Sequence, residues 1–138
     1  MGGAFERHTD YFPNVTAAAD YSAKQFYVVY MSSDTAVTLC DATPALTPIG
    51  VLNNEPASGE TAQVVYVPGD ITKALCSVST CTISRWNPLW VDSSARVIRQ
   101  VTTGCPYFAR SLVTTTASGV IPVMITGPMI MTTGSHNV

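Results

Sequence analysis

Charge is the scarcest property of this sequence. Its 138 residues hold 7 Lys+Arg and 9 Asp+Glu, so 12% are charged, half the ~25% usual for soluble domains. The net charge of −2 and the scattered cations give nothing to neutralise a phosphate backbone, which excludes a nucleic-acid partner. Histidine is nearly absent: His8 and His136 sit close to the two ends, where a catalytic base lacks the rigid placement that proton transfer needs. No apolar run approaches the ~18 residues of a spanning helix, so no membrane partner is expected. Met1–His8 has neither a basic start nor an apolar segment, so no signal peptide is expected, and Glu6 removes a myristoylation pattern.

What fills the space left by charge is uncharged polarity, with 18 Thr and 12 Ser beside 46% hydrophobic residues. β-branched content at this level argues against disorder. The length suits one domain able to bury a real core. Four cysteines, Cys40, Cys76, Cys81 and Cys105, are read first as reduced, buried thiols. A disulfide, with the four-residue gap of Cys76–Cys81 closing a small loop, and a half-site for zinc are the alternatives.

Residues 1–20 show no sustained period and read as an extended N-terminal arm carrying Phe5, Tyr11 and Phe12. Such an arm either folds back on its own domain or reaches a neighbouring subunit. Ala17–Ala19 is the only hint of a helical turn, too short to stand alone. From Gln25 onward, β-branched and aromatic runs alternate with turn clusters. Runs at 25–30, 36–39, 49–52, 61–67, 71–75, 81–84, 89–91, 96–101, 107–113 and 120–125 merge into eight or nine short strands. The expected fold is all-β, a single small barrel or sandwich over residues 21–127, with a C-terminal tail at 128–138. Pro122 inside the last strand predicts an edge or a bulge. No internal repeat is legible.

No nucleophile elbow, P-loop, zinc-protease or EF-hand pattern occurs. Asp10, Asp20, Asp34, Asp41, Asp70, Asp92, Glu55 and Glu60 fall almost entirely at turns, where carboxylates cap backbone N–H groups. Asn14-x-Thr16 matches a glycosylation sequon that carries no weight without a secretory signal. Trp86 and Trp90 around Pro88 read as core residues, as interface anchors, or as a sugar-stacking platform. Arg85, Arg96, Arg99 and Arg110 suit planar contacts at protein interfaces. Candidate interface residues are therefore Phe5, Tyr11, Phe12, Trp86, Trp90, Arg96 and Arg99. Neither a cofactor nor a metal is implied.

Residues 49–64, IGVLNNEPASGETAQV, resemble the "GVL-N-P-GE-A-V" segment of a family of small phage capsid decoration, or head cement, proteins. Further landmarks follow in order. Residues 21–26 stand at the family's opening strand, Pro68-Gly69 at the turn after "GE-A-V", 107–112 at its "G-x-Ala-x-x-Ala" strand and 119–125 at its terminal strand. Trp86-Asn87 departs from the usual Gly-Asp, and Cys105-Pro106 stands where Gly is common. The resemblance spans about residues 20–127. It implies a β-barrel or "tulip" domain, usually a homotrimer, on the outer surface of an icosahedral head assembled in the host cytoplasm. Its partner would be the major capsid protein, clamped without catalysis or cofactor. A tail or fibre β-domain and a carbohydrate-binding module using Trp86 and Trp90 are the other readings.

Overall fold

The computed structural model describes residues 11–42, 46–77 and 82–132. Among them there are ten strands and no helix: β1 (Thr16–Ala17), β2 (Val28–Met31), β3 (Ala36–Leu39), β4 (Gly50–Leu52), β5 (Val64–Val65), β6 (Ile71–Cys76), β7 (Pro88–Val91), β8 (Val97–Arg99), β9 (Pro106–Ser111) and β10 (Gly119–Ile130). The all-β expectation holds. The strands form two curled sheets, one ordered β1-β3-β2-β4-β5 and one a closed barrel ordered β10-β6-β8-β7-β9. The first sheet also meets itself, through bridges Thr16↔Thr61 and Tyr11↔Val65.

The two sheets have the same connectivity, and their strand registers superimpose, while the bridge Tyr11↔Val65 falls one residue off the counterpart of Met124↔Ile71. Val29↔Leu39, Tyr30↔Thr38 and Met31↔Val37 become Leu89↔Arg99, Trp90↔Ile98 and Val91↔Val97, each residue number raised by sixty. Val51↔Val65 and Leu52↔Val64 become Arg110↔Met124 and Ser111↔Val123, raised by fifty-nine. The parallel pair Ala17↔Val37 becomes Cys76↔Val97, and the bridge Thr16↔Thr61 becomes Leu75↔Val120. Even an unusual backbone state repeats: Phe26 and Trp86, sixty residues apart, have φ of 74° and 72°. Bulky side chains rarely adopt such angles. In both, the N–H is held at 2.7 Å, by the Leu52 carbonyl in one sheet and by its counterpart on Ser111 in the other.

This duplication corrects the reading of a chain without repeats. Side chains at matching positions keep their burial and lose their identity. Val15, Val29, Leu52 and Ala62 line the first sheet where Ala74, Leu89, Ser111 and Ile121 line the second. Burial needs only a side chain of suitable size and orientation, so the period survives in the structure after it has gone from the letters.

The arm is corrected too. Of its two readings, residues 11–20 take the first and fold back. Val15 and Ala17 are buried, Phe12 N–H donates to the Val64 carbonyl, and the alanine segment starts as strand β1, not as a helical turn. Phe5 lies outside the described residues. At the other end β10 runs on to Ile130, pairing Met129↔Tyr107 and Ile130↔Pro106, so 128–130 is strand and Met131 is buried. Pro122 lies inside a barrel strand, not at an edge. Its carbonyl accepts from Leu112 N–H, so the N–H it lacks would face the side on which β9 has already ended at Ser111. The irregularity in β10 falls instead between Ile125 and Met129, around Gly127 at φ 75°. The strand expected at 81–84 leaves only the bridge Ile83↔Thr115, with Cys81 outside the described residues.

The sheets join along one face. Val28 N–H donates to the Ala95 carbonyl at 2.8 Å, and Leu75 N–H to the Phe26 carbonyl at 3.0 Å. Val28, Val51 and Val65 point out of the first sheet and share a core cluster with Ala74, Leu89 and Phe108 of the second. Burial of such a side chain contributes about 1.5–3 kcal/mol, so this outer face depends on its cover.

Candidate interaction surface

The described candidates divide between the two sheets. On the first, Tyr11 is 37% exposed and its hydroxyl accepts a 3.0 Å hydrogen bond from Asn53 Nδ2. Phe12 packs edge-on against Tyr66, ring centroids 5.0 Å apart. Both rings therefore stabilise the fold-back of their own segment. On the second sheet, Trp90 is half-buried in edge contact with Phe108 at 6.2 Å, whereas Trp86 is 38% exposed. One tryptophan serves the core and one faces solvent, so the pair does not form a joint stacking platform.

The arginines separate just as clearly. Arg96 is held by Asp92, with its Nε and Nη2 each 3.0 Å from Oδ2. Asp92 also accepts from the Ser94 and Arg96 backbone N–H groups, so this cluster fixes the β7–β8 turn. Arg99 is half-buried in β8. The arginine that meets the exposed tryptophan is Arg110, which sequence reasoning grouped with the others but did not select. Its guanidinium lies 5.3 Å from the Trp86 ring and 5.0 Å from the Tyr107 ring. Nη1 donates to the Trp86 carbonyl at 2.8 Å and Nη2 to the Tyr107 hydroxyl at 3.2 Å. Strand alternation gives no signal for this meeting, since Tyr107 and Arg110 lie three residues apart in β9, at positions of opposite parity; the pairing of Pro88, two residues beyond Trp86, with Arg110 brings the tryptophan alongside. Trp, Tyr and Arg are the residue types that dominate protein interfaces energetically. Beside them, Ser84, Arg85 and Thr114 complete a shallow depression with Trp86. Arg85 Nε donates to the Leu112 carbonyl, which keeps that side chain against the loop.

A cleft of about 380 Å³ lies between the sheets, lined by Gln25, Phe26 and Asn53 on one side and Ile71, Lys73 and Pro122 on the other. Lys73 is the one charged group in its lining, and no nucleophile–base pair faces it. A second cleft of about 440 Å³ is bordered by Lys24, Tyr27, Cys40 and Arg96. Burial, and secondarily the charge of Asp41, push the Cys40 thiol up to about 12, so it stays protonated and inert at neutral pH. Cys40 and Cys105 are free, as the reduced reading expects, but Cys76 is disulfide-bonded, which corrects it. Among the described residues no group of three His, Cys, Asp or Glu could hold a metal ion. His8 and His136 lie outside the described residues. Asp20, Glu60 and Asp92 cap turns, the role their neighbours predict. Comparison with known proteins finds no matching family and no matching curated protein.

Proposed function

We propose that this protein is a non-enzymatic virion component, a decoration subunit that binds the outside of an icosahedral phage head and cements neighbouring major capsid subunits. The observation that carries the reading is the 49–64 segment, because the residues behind its resemblance each have a physical task here. A Cβ on Gly50 would lie 2.0 Å from the Val65 carbonyl oxygen. Asn54 clasps the ends of the loop, accepting from Gln63 N–H at 2.9 Å and donating to the Thr61 carbonyl at 3.0 Å. Glu60 accepts from Ala57 N–H, and Gly59 turns the chain at φ 83°. A sequence similar at these positions has the means to build the same β4–loop–β5 unit.

The surface chemistry supports the same reading. A weakly charged, Thr-rich exterior, with an exposed Trp86 held against half-buried Arg110 over buried Tyr107, suits a subunit whose surroundings are protein. Many such subunits, each bridging several capsomers, reinforce a shell through multivalency even when single contacts are modest. The carbohydrate-binding reading loses its two-tryptophan platform to the packing of Trp90.

The test is co-sedimentation of the full chain with undecorated heads of the phage that encodes it, compared with a variant lacking residues 1–10. Binding of the full chain supports the reading, and weakened binding of the truncation assigns capsid affinity to the arm. Absence of binding by the full chain overturns the decoration role, and binding to purified tails in its place favours a tail or fibre β-domain. Deletion of all of residues 1–20 is unsuitable, since Val15 and Ala17 belong to the core.

A further inference from the structure

The cleft of about 440 Å³ beside Cys40 draws its walls from both halves of the molecule. Lys24, Tyr27, Leu39 and Cys40 come from the first, and Ser93, Ser94 and Arg96 from the β7–β8 turn of the second. No carboxylate is in this lining, and the Cys40 thiol, protonated at neutral pH, adds no negative charge. Two of the chain's seven cations therefore meet one cleft, and one of them is one of its two lysines. The duplication shows that the fold needs neither. The counterpart of Lys24, sixty positions on, is Ser84. The counterparts of Asp92 and Arg96 are Ser32 and Ala36, whose turn closes in the same way: Ser32 N–H donates to the Ala36 carbonyl at 3.0 Å, as Asp92 N–H does to the Arg96 carbonyl at 2.8 Å. The Asp92–Arg96 ion pair is thus an addition to a turn that forms without one.

What the pair adds is a fixed guanidinium. Asp92 is anchored by the Ser94 and Arg96 backbone N–H groups and holds Arg96 by Nε and Nη2. Among the described residues nothing hydrogen-bonds Arg96 Nη1, so the Nη1–Nη2 edge keeps the fork that matches two oxygens of a carboxylate or phosphate. Lys24 Nζ rests 4.8 Å from the centre of the Tyr27 ring, which occupies one side of an ammonium that has three donors. We propose that this cleft binds an oxyanion, the carboxylate or phosphate group of a small organic ligand, forked by Arg96 and neutralised by Lys24. The ligand's apolar part lies against Tyr27 and Leu39, and the exposed Ser93 and Ser94 supply hydroxyl donors at the rim. The volume falls in the roughly 300–1,000 Å³ range of small-molecule sites, well beyond a bare ion. Because the two cations belong to different sheets, the bound ligand ties the sheets together and stabilises their junction. The proposal is independent of the capsid reading and stands or falls without it.

The test titrates the full chain with benzoate and with phenyl phosphate, using benzyl alcohol as the uncharged control. Binding is followed by the nuclear magnetic resonance signals of the Ser93 and Ser94 amides and of Arg96 Nε–H. Saturable shifts at these three groups are expected with an anion, and binding of benzyl alcohol roughly tenfold weaker or less. Tighter binding of benzoate assigns a carboxylate ligand, and tighter binding of phenyl phosphate a phosphate; either supports the proposal. Lys24→Gln and Arg96→Gln should each weaken the preferred anion roughly tenfold, the scale of a lost charge-assisted hydrogen bond. Lys24 makes no hydrogen bond through its side chain among the described residues, so Lys24→Gln leaves the fold intact even where Arg96→Gln disturbs the turn. No saturable shift with either anion, equal binding of benzyl alcohol, or affinity indifferent to Lys24→Gln would each overturn the proposal.

Discussion

Gly50 carries the sharpest constraint on any single residue. The obstacle to a Cβ there is the Val65 backbone, which cannot swing aside as a side chain would. Gly50→Ala is therefore expected to cost about 3 kcal/mol or more, read as a lowered urea midpoint. The other residue-scale prediction concerns thiols. Cys40 is buried with its pKa raised from 9.0 to about 12, while Cys105 is partly exposed. In native protein near pH 8, Cys105 should react with a thiol reagent at once and Cys40 only on the timescale of unfolding. The linkage has a definite sign: the folded state keeps the Cys40 proton where the unfolded chain has lost it. Stability from this group is complete below about pH 9 and is lost as the pH rises towards about 12. Cys40→Ser should flatten that part of a stability–pH curve.

Among the elements, the turns hold most of the polar specificity. Asp92 gathers two backbone N–H groups and the Arg96 side chain at the β7–β8 turn. Asp92→Ala should destabilise by about 2 kcal/mol through lost charge-assisted hydrogen bonds. Arg96→Ala should cost less, about 1 kcal/mol or below, because the pair is partly solvated and Asp92 keeps its backbone donors. Thermal unfolding of the two variants separates these expectations. The turn residues were legible in the sequence because Asp, Asn and Gly have local mechanisms. Strand lengths were less so: 61–67 reads as one strand run, yet only Val64–Val65 pairs as one. Its run of β-branched residues reports the surface they bury, and pairing length depends on where the neighbouring strands end.

At the scale of the whole molecule, the two sheets predict unequal dependence on each other. The second closes on itself, whereas the first relies on it to cover Val28, Val51 and Val65. Val28→Asp, which buries a charge in that junction, is expected to unfold the first sheet before the second. Amide exchange in native protein should then show β2 and β4 losing protection while β9 and β10 retain theirs. Equal loss throughout would mean that the two sheets unfold as one cooperative unit.

Class, turns and the alternating core were written in the sequence, because period-two patterning and turn chemistry act over a few residues. The same holds for the shortage of charge. The fate of the aromatic and arginine residues was not. Trp86 and Trp90 look alike in the sequence, as do Arg99 and Arg110, and only packing turns Trp90 onto Phe108 and brings Trp86, Arg110 and Tyr107 together. The duplication was equally hidden. Backbone pairing and burial preserve a register without preserving residue identity, so it took the tertiary structure to show that this chain contains the same sheet twice.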